Sequence, residues 1–117
     1  MRAAIQQLFE EDGITVYQPY STTSKTRKPY YVLKMENDLE AKGGRFDQFE
    51  IWPYTAKGSF VTVDEHVDAI KEALDGKTIE LSDGRRIYME YVRTGPDFYD
   101  QDLAANTRSV RFRVPTR

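Results

Sequence analysis

An α+β fold is what this chain of 117 residues predicts, with a mainly antiparallel sheet of about four to six strands packed against two helices. Three observations carry that reading. Val63, Val67, Ile70 and Leu74 recur at helical spacing within TVDEHVDAIKEALDG, so they form one apolar stripe on a long amphipathic helix. The run SVRFRV alternates Val110, Phe112 and Val114 against Ser109, Arg111 and Arg113, the period of a strand buried on one side. Asp83-Gly84 between two β-favouring runs marks a hairpin. The length is that of a single domain, 1–117, able to bury a core and hold a stability of about 5–15 kcal/mol.

Taken in order, Arg2–Asp12 places Ile5, Leu8 and Phe9 at helical spacing, and Asp12-Gly13 stops a short helix. Ile14–Tyr17 alternates as a strand. Gln18–Pro29, rich in Ser, Thr, Pro and cations, has no hydrophobic period and reads as a long exposed loop. Tyr30–Met35 is a central strand, Asn37–Arg45 with Gly43-Gly44 a turn, and Phe46–Tyr54 the next strand. Pro53 cannot donate to a ladder, so that strand should end or lie at an edge there. Thr55–Ser59 leads into the helix Thr62–Gly76, where Thr62 and Glu65 have capping-box spacing and Gly76 can end the helix in the left-handed conformation. Lys77–Leu81 and Arg86–Tyr91 flank the turn Ser82–Arg85, Thr94–Asn106 is a second long loop, and Pro115 closes the last strand.

With 39% hydrophobic and 31% charged residues the chain is globular rather than disordered, and 13% aromatic residues favour sheet. No apolar run approaches the roughly 18–20 residues that span a bilayer, and MRAAIQQLFEED is too polar for a secretory signal, so folding in a cytoplasm is expected. The absence of Cys excludes disulfides, thiolate metal sites and a Cys nucleophile. A formal net charge of −2 leaves no footprint of a general nucleic-acid binder. The charge is unevenly spread. Lys25, Arg27 and Lys28 share one segment, Arg108, Arg111, Arg113 and Arg117 crowd the C-terminus, and acids dominate Asp64–Asp75 and Asp97–Asp102. Such segregation serves internal pairing, assembly through complementary patches, or simply solvation.

The residues for chemistry are sparse. His66 is the only histidine, and a lone His with no Cys builds neither a metal cluster nor a catalytic dyad, so it reads as structural or solvent-facing. Asp64 with Asp68, or Asp97 with Asp100 and Asp102, offers paired carboxylates, but DFYDQD lacks the spacing, glycine and terminal Glu of an EF-hand loop. It reads as a solvated or partner-facing loop. Gly43-Gly44 does not open a helix and is no phosphate cradle. The aromatics Tyr30, Tyr31, Phe46, Phe49 and Trp52 near Lys28 could stack single strands, but core is the simpler reading, with Trp52-Pro53-Tyr54 as a contact point. No catalytic constellation is present, so no enzyme, metal or cofactor is expected.

The succession of a short helix, a Ser/Thr/Lys-rich loop ending in PYYVLK, the helix VDEHVDAIKEAL, an Asp-Gly hairpin and the strand SVRFRV resembles the tail terminator and tail-completion proteins of long-tailed bacteriophages. The resemblance covers the whole chain in order, size and texture, without a signature that carries a role to any one residue. It implies a subunit of a hexameric ring that caps the tail tube and joins it to the head connector, working in the host cytoplasm during assembly and then in the virion. The implied partners are copies of itself, the tail-tube protein and a connector or neck protein, with no membrane and no sequence-specific nucleic acid. On this reading Asp64, Asp68 and Glu72 of one subunit meet cations of the next, Arg111 and Arg113 or the Lys25–Lys28 loop. The two loops, with Lys25, Arg27, Lys28, Asp97, Asp100 and Asp102, then dock tube and connector. The alternative is an adaptor or inhibitor that binds a partner through the same loops without assembling.

Overall fold

The chain's computed structural model describes residues 2–38 and 46–115. Two helices and eight strands run in the order α1 (Arg2–Glu10), β1 (Val16–Tyr17), β2 (Tyr30–Asp38), β3 (Phe46–Ala56), α2 (Val61–Leu74), β4 (Lys77–Glu80), β5 (Arg86–Thr94), β6 (Phe98–Asp100), β7 (Ala105–Thr107) and β8 (Val110–Pro115). The class is α+β as expected. The strand count exceeds the expected four to six because β1, β6 and β7 are only two or three residues long.

The sheet follows the path β1-β2-β3-β8-β5-β4. All its pairs are antiparallel except β1 with β2. β3 is long enough to serve two partners on one side, β8 along Phe46–Ile51 and β7 along Tyr54–Ala56. The segment 94–106 is therefore not a plain loop: it holds the small hairpin β6–β7, which borrows the end of β3 as its template.

That division also accounts for Pro53, where the strand neither ends nor reaches the edge of the sheet. Tyr31 donates its N–H to Thr15 on the β1 side, so Tyr31 and its partner Pro53 form a non-hydrogen-bonded pair. The proline nitrogen then faces the gap between β8 and β7, where no ladder bond is required.

Alternation sends Tyr31, Leu33, Phe49, Ile51, Met89, Val110, Phe112 and Val114 to one face, where they meet Val63, Val67, Ile70 and Leu74 of α2 and Ile5 and Phe9 of α1. Burying each large apolar side chain contributes about 1.5–3 kcal/mol, so this layer holds both helices. α1 ends as Asp12-Gly13 suggested: Gly13 N–H bonds Glu10 C=O and Ile14 N–H bonds Phe9 C=O, with Gly13 at φ +84°.

α2 begins differently from expectation. Its N-cap is Phe60, no side chain caps it, and the Thr62–Glu65 box does not form because both residues already lie inside the helix. Ser59 Oγ instead accepts the Val61 N–H at 3.1 Å. At the other end Asp75 is extended, and Gly76, at φ +70°, gives its N–H to Met89 C=O rather than back to the helix. The Asp-Gly turn holds as read, with Gly84 at φ +87° between β4 and β5. β2 runs through Asn37 and Asp38, which the sequence placed in a turn. The rest of that turn, Gly43-Gly44 included, and the C-terminal Arg117 lie outside the described residues.

Candidate docking site between two loops

The face of the sheet away from the helices has two halves. In one, Tyr17, Tyr30 and Tyr54 touch edge to face at 5.4 and 5.2 Å, and with Val32, Trp52, Leu103 and Ala105 they form a second small core. Register carries this row from Tyr54 through Thr107 to Phe98, which is 51% exposed. The other half is polar. Arg111 bonds Glu50 at 2.8 Å and also Gln48, while Arg113 reaches Glu90 at 3.4 Å. Trp52 Nε1 donates to the other Glu50 oxygen at 3.2 Å.

The two loops named from sequence meet over the aromatic half. Residues 18–29 cover it from one side, where Tyr30 donates to Thr22 Oγ1 at 3.2 Å, and the β6–β7 turn covers it from the other. Between them lies a cavity of about 330 Å³ whose walls include Tyr20, Thr22, Lys34, Tyr54, Asp100 and Asp102. Tyr20 stands fully exposed at the rim, in the left-handed region at φ +65°. Asp100 Oδ1 accepts the Leu103 N–H at 3.0 Å and so shapes the turn. Lys34 lies with its ammonium 4.3 Å from the centre of the Trp52 ring.

Of the residues singled out by sequence, Asp100 and Asp102 belong to this cavity, while Lys25 and Arg27 are exposed on the loop beside it and the Lys28 ammonium donates to Ser24 C=O. Asp97 and Asp64 are both drawn to Arg108, at 3.6 and 2.9 Å, which ties the first turn of α2 to the β5–β6 turn. Asp68 and Glu72 are exposed on the helix. Arg111 and Arg113 turn to carboxylates of their own chain. Sequence reading missed Glu50 and Gln48 as partners of Arg111 and gave Tyr20 and Lys34 no role. The available signal was the double apolar parity of Tyr30–Leu33, which requires cover on both sheet faces. Tyr30, Tyr31 and Phe49 are core rather than a stacking platform.

His66 is half-buried under the sheet. Burial lowers its pKa, with Glu65 opposing, and the Tyr31 hydroxyl meets its Nδ1 at 2.8 Å. Among the described residues no group of three or more His, Asp or Glu converges as a metal site, and no helix is long and apolar enough to cross a membrane. What the geometry offers is recognition: aromatic rims, carboxylates and a cavity on one side, and an acidic helix face on the other.

The fold has a counterpart in a virion. A chain in the structure described as "Virion of native gene transfer agent (GTA) particle" shares it with a TM-score of 0.72 at 21% identity, over 98% of this chain and 92% of that one. No family model matches the chain, and no curated protein does. The structural likeness shows a common fold, and at 21% identity it shows the fold alone.

Proposed function

We propose that the chain is a structural protein of a phage-like particle, a ring-forming tail terminator or tail-completion subunit that caps the tail tube and joins it to the head connector, without enzymatic activity. The observation that supports this is the likeness, over 98% of this chain and 92% of the other, to a chain of a gene transfer agent virion. Its partners are copies of itself in a hexameric ring, the tail-tube protein and a neck protein.

A ring needs a heterologous contact, one patch against a different patch of the neighbour. With Arg108, Arg111 and Arg113 engaged inside the chain, the acidic face of α2 around Asp68 and Glu72 fits best against the exposed Lys25 and Arg27 of the next copy. Light scattering after size exclusion, alone and with tail-tube protein, tests the reading. A discrete ring of several copies supports it. A 13.6 kDa monomer in every mixture overturns it.

A further inference from the structure

We infer that the cavity between the 18–29 loop and the β6–β7 turn is a binding site for an arginine side chain presented by a partner protein. Tyr54, at 5% exposure, lines the cavity, and its hydroxyl has no hydrogen-bond partner among the described residues. The ring is buried but its oxygen is not enclosed, so the hydroxyl opens to the cavity and can take a hydrogen bond from a ligand there. The polar groups around it are mainly anionic. Asp100 and Asp102 stand against the single cation Lys34, whose ammonium lies over the Trp52 ring. Asp100 is near enough to Tyr54 that its charge, after burial, raises the phenol's pKa. The Leu103 N–H occupies only one of the Asp100 oxygens.

An anionic ligand would face two carboxylates there, whereas a guanidinium finds a carboxylate, a hydroxyl acceptor and aromatic surface together. Arginine suits this better than lysine, because its planar group stacks on rings and bonds carboxylates through a fork. The cavity's size is at the lower end of the ~300–1,000 Å³ typical of binding pockets, which is ample for one side chain.

The test is a titration of the ¹⁵N-labelled protein with N-acetyl-arginine amide at low salt, with the neutral isostere N-acetyl-citrulline amide as control. Saturable shifts at Thr22, Lys34, Tyr54 and Asp100–Leu103 with the arginine amide alone are expected. Asp100→Asn keeps the carbonyl that caps Leu103 and should weaken binding about tenfold. Tyr54→Phe keeps the packing and should weaken binding several-fold without lowering the melting temperature. An equal response to citrulline, shifts elsewhere, no saturable response, or unchanged affinity in both variants would overturn the assignment. The outcome is independent of assembly: a chain that forms no ring can still bind the amide, and a ring-forming chain can fail to.

Discussion

At the scale of single residues, His66 and Glu50 carry the most consequence. Burial disfavours the charged imidazole and lowers its folded-state pKa below 6.5, and the Tyr31 hydroxyl, its own pKa pushed up to about 12 by burial and then Asp12, stays protonated 2.8 Å from Nδ1. Protonation of His66 therefore favours the unfolded chain. The stabilisation is complete above the unfolded pKa and falls away as pH drops through the folded one. Urea midpoints should be lower near pH 5 than near pH 7, and His66→Gln should flatten that difference. Glu50 is the second such residue. It and Arg111 keep only 12% and 22% of their side-chain surface, and both Glu50 oxygens are used, by Arg111 and by Trp52. Glu50→Gln should cost about 2–3 kcal/mol in chemical denaturation, less than a fully buried broken pair because some solvent reaches both groups.

At the scale of elements, α2 shows how a correct element can start in the wrong place. Its stripe of Val63, Val67, Ile70 and Leu74 is buried as spaced, yet its first turn is held by Ser59 and by the Arg108–Asp64 pair rather than by a capping box. Ser59→Ala should therefore destabilise by about 1 kcal/mol, while Thr62→Ala and Glu65→Ala should change stability by less than ~0.5 kcal/mol. Thermal melts of the three variants separate the two arrangements. At its far end, Asp75 accepts the Tyr91 N–H at 2.9 Å and Lys71 sits 4.4 Å from the centre of the Tyr91 ring, so the helix end is fastened to β5 despite the unfavourable dipole. β3 is the complementary case, a strand whose length lets two short ladders lie end to end on one side.

At the scale of the whole molecule, the charge map limits which patches could meet in the proposed ring. Arg111 and Arg113, which sequence offered as partners for the helix of a neighbour, are held by Glu50 and Glu90 of the same chain, and Arg108 by Asp64 and Asp97. Reversal of charge at Asp68 and Glu72 should abolish ring formation at low salt, and Lys25→Glu with Arg27→Glu should restore it in the doubly reversed chain. Ring formation by wild type should weaken as salt rises, since both patches are exposed and screened. Assembly that ignores charge reversal at every salt concentration would require a different interface, and the exposed Phe98 at the β6 edge would be the place to look.

By itself the sequence determined the elements whose signal is local: the α2 stripe, the alternation of β8, the Asp-Gly hairpin and the stop after α1, each written in residues a few positions apart. It determined α+β for the same reason, because helical and strand periods are properties of neighbours in the chain. Tertiary structure decided everything that joins distant positions. Ala105–Thr107 is a strand only because the end of β3 is open to it, and three residues have no intrinsic reason to pair. Arg111 is bound to Glu50, 61 positions away, rather than left for a neighbour, and no spacing in the sequence records that register. The two polar loops enclose one cavity because both cross the same sheet face. That placement follows from strand order, which local propensity does not encode.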